Sequence, residues 1–328
     1  METVLITGGA GFIGSNIAGG LLSEGYRVVI IDDLSTGRME NIEDLLERPR
    51  VSFIFGSILD TGLLRDTIRT HRVSLISHQA AVPSVAKSVA DPVETAQVNI
   101  TGTAGLFHVA AQCGCRRVVF ASSSSVYGDS PELPKRESMP LLPKSPYAVS
   151  KAANELCGGV FSGLYGIEIA GLRYFNVYGR RQDPASEYAA VIPKFITKAL
   201  AHEPLTIEGD GLQTRDFAYI GDVVEANLRA LTKENVSGTV FNIAYGSCIS
   251  ILDLARLIIE ITGSQSVIEH ISPRAGDIRD SLADVALARE RLGFSPRYGI
   301  RVGLRETVEW FRKAKGVKGR ETVLQAAC

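Results

Sequence analysis

Thr7-Gly8-Gly9-Ala10-Gly11-Phe12-Ile13-Gly14 is the stretch that decides the fold. The apolar run Val4-Leu5-Ile6 precedes it, and a helix-compatible segment follows at residues 15–24. A β-branched run at residues 27–31 comes next and stops at Asp32. The order strand, glycine turn, helix, strand predicts the opening of a right-handed parallel crossover.

The spacing Gly9-x-Gly11-x-x-Gly14 is typical of a dinucleotide-binding turn. Such glycines make the turn tight, let the backbone approach a pyrophosphate and pack the helix on the strand. An acid at the end of the second strand accepts hydrogen bonds from ribose hydroxyls and repels a 2′-phosphate. Asp32 therefore favours NAD over NADP, although the nearby Arg38 keeps the second alternative open.

Further apolar runs alternate with helical patterns and predict a parallel sheet covered on both faces. The strands are expected at 51–55, 73–77, 117–121, 168–172 and 240–243, and the helices at 93–113, 147–165, about 188–202 and 222–231. The fold class is thus α/β, a Rossmann-type doubly wound sheet with a smaller discontinuous C-terminal domain. We expect residues 1–176 plus about 217–245 to bind the cofactor, and about 177–216 plus 246–328 to bind the substrate.

The segment Ser145-Pro146-Tyr147-Ala148-Val149-Ser150-Lys151 predicts a helix start with reactive side chains. Ser145 suits the N-cap and Pro146 the first helical position. Tyr147 and Lys151 are four residues apart and share one face, so the ammonium favours a phenolate that could act as a general base. For the pair alone, a buried tyrosine beside a surface lysine is the simpler interpretation.

A serine run, Ser122-Ser123-Ser124-Ser125, follows the strand at 117–121. Ligands of open α/β sheets bind at the carboxyl ends of strands, where this run and Tyr147 can converge. A serine hydroxyl there can align a substrate proton with the phenolate. Without Tyr147, a serine-rich turn that caps backbone groups would explain the run equally well.

Composition excludes several classes of protein. The 328 residues are 45% hydrophobic and 22% charged with a net charge of −1, which indicates a globular protein and no nucleic-acid or membrane partner. The five cysteines form no C-x-x-C pair, and the histidines lack ligand spacing, so no metal is expected. Reduced thiols and the lack of a signal-peptide pattern favour a cytoplasmic location.

These motifs resemble the extended short-chain dehydrogenase/reductases over the whole chain. The resemblance rests on residues 7–14, the serine run with Val126-Tyr127-Gly128, Tyr147-x-x-x-Lys151 and the stretch 173–179. More narrowly, the chain is similar to nucleotide-sugar 4-epimerases and, through 179–184, 188–194 and 276–284, to UDP-N-acetylglucosamine 4-epimerases. The resemblance implies that Tyr147 takes the sugar O4 proton while C4 delivers hydride to tightly held NAD, and that the 4-keto sugar turns over and receives the hydride on its other face.

The resemblance also implies roles for individual residues. The catalytic residues are Ser123, Tyr147 and Lys151, and Lys151 lowers the tyrosine pKa and holds the nicotinamide ribose. The other cofactor contacts are Gly8, Gly11, Phe12, Ile13, Gly14, Asp32, Asp33, Ser35, Thr36, Gly37, Ser57, Ile58, Gln79, Ala80, Ala81, Asn99, Ser122 and Tyr174. The UDP-sugar contacts are Ser84, Ser123, Ser124, Ser125, Tyr147, Asn176, Ala190, Val191, Thr206, Arg215, Arg274, Asp277 and Ser281.

Departures from neighbouring patterns narrow the reaction. The 4,6-dehydratases carry Asp-Glu, and the UDP-glucuronate decarboxylases keep the Glu, where this chain has Ser124 and Ser125; neither serine can do acid–base work on C5. Ser281 stands where glucose-restricted epimerases have a bulky residue, so an N-acetyl group is expected to fit. Ser57 replaces the usual acid near the adenine, which weakens that contact, and Pro83 replaces a common lysine.

The leading hypothesis is therefore interconversion of UDP-N-acetylglucosamine and UDP-N-acetylgalactosamine, with UDP-glucose and UDP-galactose as a further pair. A UDP-glucose-restricted or UDP-uronate 4-epimerase remains an alternative, as does a catalytically silent NAD-binding sensor. The resemblance also implies a homodimer through a four-helix interface built from the helices at 93–113 and 147–165.

Overall fold

The computed structural model describes residues 1–184, 190–273 and 279–314. Within them, seven parallel strands form the central sheet: β1 (Thr3–Thr7), β2 (Arg27–Asp32), β3 (Val51–Phe55), β4 (Leu75–His78), β5 (Arg117–Ser123), β6 (Glu168–Tyr174) and β11 (Thr239–Ile243). Their order is β3-β2-β1-β4-β5-β6-β11. The predicted doubly wound sheet is confirmed.

Helices cover both faces of this sheet. They are α1 (Phe12–Ser23), α2 (Glu43–Leu46), α3 (Thr61–His71), α4 (Val85–Ala90), α5 (Pro92–Ala96), α6 (Thr103–Gln112), α7 (Pro146–Tyr165) and α9 (Ile220–Thr232). Alternate residues of one strand enter different cores: Val4 and Ile6 pack with α1 and α9, whereas Leu5 packs with α3 and α6. This alternation explains why the strands are apolar throughout.

The helix expected at 93–113 is interrupted. Residues Gln97–Gly102 between α5 and α6 form a π-helical segment, a type of irregularity that often lies at functional sites. The buried Asn99 is in this segment. The helix expected from about 188 begins as α8 (Val191–Leu200), and residues 185–189 lie outside the described residues.

Smaller sheets follow β6. Strand β7 (Val177–Tyr178) pairs with β10 (Ala218–Tyr219), β8 (Leu205–Glu208) with β13 (Ile268–Ile271), and β9 (Thr214–Asp216) with β12 (Cys248–Ser250). Helices α10 (Ile251–Thr262) and α11 (Ile300–Ala314) follow, with a π-helical segment, Ala288–Leu292, between them. Strand β11 returns to the central sheet beside β6, as the pattern at 240–243 predicted.

Strand β5 is longer than expected. Ser122 and Ser123 pair with Arg173 and Tyr174 of β6 and belong to the strand rather than to the turn after it. The alternating pleat points their side chains to opposite faces of the sheet. Ser122 and Ser123 therefore face different surroundings, which the run of identical residues concealed.

Candidate active site

A glycine turn joins β1 to α1 and brings three segments close together. Gly8 has a φ of +68°, and a Cβ there would lie 2.6 Å from the backbone nitrogen of Ala80. A Cβ on Gly14 would lie 2.2 Å from the carbonyl oxygen of Gly8. Only glycine fits at both positions, so the turn can be tight and the helix can pack on it.

The N-terminus of α1 has a backbone suited to an anion. Gly11 is its N-cap residue, and no described side chain accepts a hydrogen bond there. By contrast, Ser145 caps α7 and accepts from the N–H of Ala148 at 3.2 Å. The first N–H groups of α1, at Phe12 and Ile13, and the helix dipole therefore favour a bound phosphate.

Asp32 lies at the carboxyl end of β2, next to this turn. Its Oδ2 accepts from the N–H of Ala10 and its Oδ1 from the N–H of Leu34, both at 2.9 Å. A Cβ on Gly37 would lie 2.6 Å from Oδ1, so the loop packs directly on the carboxylate. Burial raises the pKa of Asp32, and these backbone N–H groups oppose the rise.

The loop after Asp32 is fixed by its own polar groups. The Ser35 hydroxyl donates to Asp33 at 2.6 Å, and Ser35 and Thr36 are exposed whereas Gly37 is buried. The backbone N–H of Arg38 donates to Ala10 at 3.0 Å, and its guanidinium pairs with Asp183. Arg38, which left NADP possible as an alternative cofactor, thus already has a carboxylate partner.

The ends of β4 and β6 meet in a hydrogen-bonded group. Tyr174 Oη donates to Gln79 at 3.2 Å and accepts from Asn227 at 2.8 Å. Gln79 also donates to Ser77 at 3.0 Å, and Ala80 and Ala81 follow directly. The structure thus brings the predicted cofactor contacts Gln79, Ala80 and Tyr174 together.

Two other predicted cofactor residues are engaged within the protein. Asn99 is buried; its Oδ1 accepts from the N–H of Val82 at 2.7 Å, and its Nδ2 donates to Ser150 at 3.1 Å. Ile58 is also buried and packs close to Gly102 of the π-helical segment. The neighbouring Ser57 accepts from the N–H of Leu59 at 3.4 Å, so its hydroxyl is only weakly held.

Ser123, Tyr147 and Lys151 converge at the end of β5. Tyr147 and Ser123 are joined by a side-chain hydrogen bond. Lys151 Nζ lies 5.6 Å from the centroid of the Tyr147 ring and donates to the carbonyl oxygen of Ala121 at 2.9 Å. Ser123 Oγ also accepts from the N–H of Ser125 at 3.2 Å, which fixes its orientation. This arrangement can pass a proton between a bound hydroxyl and Tyr147.

The pKa of Tyr147 corrects one expectation. Lys151 was expected to lower it, but in the protein burial raises the pKa of Tyr147, and the hydrogen bond with Ser123 lowers it only in part. Burial also lowers the pKa of Lys151 to about 8. Desolvation penalises the charged form of both groups and is the largest cause of both shifts.

Ser122 does not point toward Tyr147. Its hydroxyl donates to Glu155 of α7 at 2.5 Å, and Glu155 forms a two-point ion pair with Arg173 at 2.8 and 2.7 Å. Sequence reasoning missed Glu155. The available signal was its position four residues after Lys151, on the same helical face.

Ser124 and Ser125 begin a 3₁₀ turn, Ser124–Tyr127. Among the residues that the structure describes, Ser125 Oγ is one of a few buried polar atoms without a hydrogen-bond partner. A buried hydroxyl without a partner costs free energy that a bound polar ligand can recover. This observation agrees with the expected contact between Ser125 and a sugar.

A second wall is assembled around Asp216. The carboxylate accepts from the N–H groups of Tyr245 and Ala283 at 3.1 Å and of Gly246 at 3.1 and 3.3 Å. Burial raises its pKa to about 7 against these hydrogen bonds. One side chain thereby holds together segments that are far apart in the sequence.

Predicted substrate residues lie along this wall. The backbone N–H of Ser281 donates to Thr214 at 3.2 Å, beside Arg215. Arg215 Nη1 donates to the carbonyl oxygens of Thr214 at 2.8 Å and Arg279 at 3.3 Å. Asn176 donates to the carbonyl oxygen of Asp216 at 3.0 Å. The structure therefore brings Asn176, Arg215 and Ser281 together.

The remaining predicted substrate residues are placed less directly. Ser84 caps α4 by accepting from Lys87 at 3.1 Å, and Thr206 accepts from Lys198 at 3.1 Å. Ala190 and Val191 lie at the start of α8. Arg274 and Asp277 lie outside the described residues.

Comparison with known proteins identifies the family. The NAD dependent epimerase/dehydratase family matches residues 4–244. The chain belongs to this family.

Relatives of this epimerase/dehydratase match it along nearly its whole length. A UDP-glucose 4-epimerase from Mycolicibacterium smegmatis is 40% identical over 94% of this chain and 98% of its own. The crystal structure of a UDP-glucose 4-epimerase from Thermotoga maritima is 38% identical with a TM-score of 0.90, covering 96% and 100% of the two chains. A UDP-N-acetylglucosamine 4-epimerase from Methanobrevibacter ruminantium M1 is 38% identical with a TM-score of 0.91, covering 95% and 99%.

The cofactor of this epimerase/dehydratase is NAD, as the sequence predicted. Features of the structure also suit NAD, independently of the family match. The glycine turn leaves no room for a Cβ at Gly14, the start of α1 has no side-chain cap, and Asp32 offers carboxylate oxygens at the end of β2. These features provide for a pyrophosphate and a ribose diol.

His78 has a packing role in the core of the protein. His78 is buried and hydrogen-bonds to the hydroxyls of Thr7 at 2.6 Å and Thr103 at 2.9 Å. Burial, with the Lys151 charge, lowers its pKa to about 3. The described residues contain no cluster of metal-ligating side chains and no helix that could span a membrane.

Proposed function

We propose that this protein interconverts UDP-N-acetylglucosamine and UDP-N-acetylgalactosamine by NAD-dependent epimerisation at C4, and that it also accepts UDP-glucose and UDP-galactose. The observation that carries the proposal is the hydrogen-bonded Ser123–Tyr147 pair with Lys151 beside it. Its place at the end of β5, where open α/β sheets bind ligands, supports it further.

The roles of the residues follow from this geometry. Tyr147 takes the proton of the sugar O4, and Ser123 aligns that hydroxyl with the phenolate. When bound, oxidised NAD supplies a cationic ring that accepts the C4 hydrogen with its electron pair and returns it. Lys151, held by Ala121, places its ammonium 5.6 Å from the centroid of the Tyr147 ring, where its charge would offset part of the cost of forming a buried phenolate. Tyr147 returns the proton to O4 after the 4-keto sugar has turned over.

Ser124 and Ser125 support epimerisation over dehydration or decarboxylation. Dehydration needs a base for the C5 proton and an acid for the C6 hydroxyl, and decarboxylation needs an acid that protonates C5 after CO₂ leaves. Serine hydroxyls cannot supply these groups at neutral pH. Ser125 Oγ is buried without a partner in the described structure. A hydroxyl of this kind can bind a sugar without reacting with it.

The acetylated substrates are supported by the small side chain of Ser281. Its backbone is fixed to Thr214, next to Arg215. A tyrosine at this position would fill space beside the sugar that a 2-acetamido group needs. We expect Ser281→Tyr to remove turnover of UDP-N-acetylglucosamine and to retain turnover of UDP-glucose, whereas Ser281→Ala retains both.

The proposal is tested by incubating the protein with each UDP-sugar and resolving the C4 epimers. Formation of UDP-N-acetylgalactosamine from UDP-N-acetylglucosamine is expected. Turnover of UDP-glucose alone would favour the glucose-restricted alternative, and turnover of UDP-glucuronate alone the uronate alternative. NADH formation with no epimer from any sugar would favour the alternative of a catalytically silent NAD-binding sensor.

The two-part organisation is also our proposal. We assign residues 1–176 and about 217–245 to cofactor binding because α9 and β11 pack into the central sheet. The segments at about 177–216 and from 246 onward carry β8, β9, β12 and β13, which pair outside that sheet. UDP would contact this second part.

A homodimer is supported by an apolar face on α4, α5 and α7. Its residues are exposed although large and hydrophobic: Val85, Val89, Val93, Val149, Leu156, Val160 and Leu164. Such a contiguous face usually marks an interface. Leu156→Arg is expected to give a monomer in sedimentation, whereas Leu212→Arg, at an exposed leucine elsewhere, leaves the dimer intact. A wild-type monomer at micromolar concentration would contradict the proposal.

A further inference from the structure

Three successive residues at the end of β5 each contact one residue of α7. Ser123 hydrogen-bonds with Tyr147, Ala121 accepts from Lys151 at 2.9 Å, and Ser122 donates to Glu155 at 2.5 Å. The three helix residues are spaced four apart, so they form one stripe along α7. We call these three contacts the β5–α7 ladder.

Glu155 is the member of the ladder that the proposed reaction does not use. Its side chain is only 6% exposed, and that of its partner Arg173 only 3%. Arg173 comes from β6, where it pairs in register with Ser122. It also donates to Tyr127 Oη at 2.7 Å, which in turn donates to Asn242 at 2.7 Å.

We propose that Glu155 is a positioning residue that sets the distance between Ser123 and Tyr147. It does so by holding the adjacent Ser122 against α7 while Arg173 fixes its own carboxylate. The inference rests on the proposed function, because it assigns a role in that reaction. Glu155 would not touch the substrate or the cofactor.

A movement of Ser122 is transmitted to Ser123 through the backbone of β5. Ser122 and Ser123 are neighbours in one strand, so a shift of Ser122 away from α7 carries Ser123 with it. A displacement of about 1 Å of a reacting group can cost about 100-fold in rate. Because Arg173 neutralises Glu155 in a two-point pair, Glu155 acts by geometry rather than by its charge.

Lys151, Ser123 and His78 are other polar groups around Tyr147. Lys151 faces the ring from the same helix, and Ser123 faces it from β5. Behind Lys151, His78 from β4 is held by Thr7 and Thr103, and its pKa of about 3 keeps it neutral. Substitution of Ser122 leaves the contacts of Lys151 and His78 in place, so a change in the Tyr147 pKa reports on Ser123.

The test compares Ser122→Ala with Glu155→Gln in the NAD-loaded protein. Ser122→Ala removes the contact with Glu155 and keeps the ion pair and the strand, so the fold is retained. We expect kcat on UDP-N-acetylglucosamine to fall about tenfold with KM nearly unchanged, and the acid limb of the pH–kcat profile to move to higher pH. Glu155→Gln keeps an acceptor for Ser122, so its pH profile stays near wild type while its Tm falls.

Glu168→Gln is the matched control. Glu168 pairs with the buried Arg117 across the same two strands, at their opposite ends. The Glu168→Gln substitution should lower the Tm and leave the pH–kcat profile unchanged. A Ser122→Ala protein with wild-type kcat and pH profile would overturn the proposal.

A second measurement needs no substrate. The phenolate absorbance of Tyr147 is titrated in each holoenzyme as the difference from the same protein carrying Tyr147→Phe. The ladder predicts a higher Tyr147 pKa in Ser122→Ala, because the hydrogen bond from Ser123 weakens. An unchanged pKa would contradict it. If the wild type turns over no UDP-sugar, the proposed function fails while this titration still decides the ladder.

Discussion

The glycine turn with Asp32 and the wall around Asp216, which we propose to be the cofactor side and the substrate wall of the site, are built in different ways. About half of the predicted cofactor contacts come from one continuous stretch, residues 7–38, whose backbone turns at Gly8 and packs on Asp32. The substrate wall joins Asp216 to Tyr245, Gly246 and Ala283, which are 29 to 67 residues away in the sequence. One side depends on local backbone geometry and the other on a single buried carboxylate.

This difference teaches what each side tolerates. The cofactor side should fail when a side chain enters the space that its glycines leave open. The substrate wall should fail when Asp216 can no longer accept all of its hydrogen bonds. Damage to one side should leave the other side's ligand bound with nearly normal affinity.

The largest effect is expected for Gly14→Ala. Its Cβ would lie 2.2 Å from the Gly8 carbonyl oxygen, so the turn or the helix must move. We expect NAD affinity to fall by about 100-fold or more, because the pyrophosphate site depends on this geometry. NAD binding by calorimetry checks the result.

Gly19→Ala in the same helix is the control. The nearest atom to its Cβ is 4.0 Å away. It should keep NAD affinity and gain about 0.5–1 kcal/mol of stability, because alanine favours the helix. Equal losses in the two variants would mean that general helix damage, and not the turn, explains the effect.

Asp216→Asn should break the substrate wall next. An amide offers one acceptor oxygen where the carboxylate offers two, so at least one of the three N–H groups loses its partner. We expect a loss of roughly 2–3 kcal/mol in the free energy of unfolding and a higher KM for the UDP-sugar, with NAD affinity retained.

Asp210→Asn controls for a lost carboxylate charge in the same region. Asp210 is exposed and pairs with Arg279. Its replacement should leave the free energy of unfolding nearly unchanged, because water screens an exposed ion pair. A Kd for NAD that changes as much as the KM of the sugar in Asp216→Asn would contradict the separation of the two sides.

The pKa of Asp216 gives a pH prediction of similar size. The folded pKa of about 7 lies above the unfolded value, so the folded protein holds a proton that the unfolded chain releases. Stability from this group is therefore present at low pH and is lost as pH rises toward about 7. The wild type should lose about 2 kcal/mol relative to Asp216→Asn between about pH 5.5 and about pH 7.5, in urea unfolding. A constant difference would contradict it.

The smallest effect is expected where the two sides meet, at Arg38. Its ion pair with Asp183 links the loop after Asp32 to the segment after β7, but the Arg38 side chain is 53% exposed. Arg38→Ala should change stability by less than about 1 kcal/mol and NAD affinity by less than about fivefold. Arg256→Ala, at another exposed pair, is the control for stability. A large loss of NAD affinity in Arg38→Ala would show instead that Arg38 contributes to the cofactor site.

The same contrast explains what the sequence could predict. The glycine turn, Asp32 and the Tyr147–Lys151 pair are local patterns, and the structure places Asp32 beside the turn and Lys151 beside the Tyr147 ring. The opposite orientations of Ser122 and Ser123 could not be predicted, because they depend on where β5 ends against β6. The net rise in the Tyr147 pKa depends on three-dimensional burial, which spacing along a helix does not reveal.

Long-range contacts were the other limit. The family resemblance indicated Arg215, but it did not reveal that the neighbouring Asp216 binds the backbone at 245–246 and 283. Glu155 was missed for a similar reason, since its importance comes from Ser122 on β5 and Arg173 on β6. Both are buried carboxylates whose partners come from other elements.

The most direct test of the central claim follows the hydrogen at C4. The protein is incubated with UDP-N-acetylglucosamine carrying deuterium at C4, and the epimer is analysed by mass spectrometry and NMR. Our account predicts UDP-N-acetylgalactosamine with the deuterium retained at C4, and no epimer with Tyr147→Phe. Loss of the deuterium to solvent, or epimer formed at the wild-type rate by Tyr147→Phe, would contradict it.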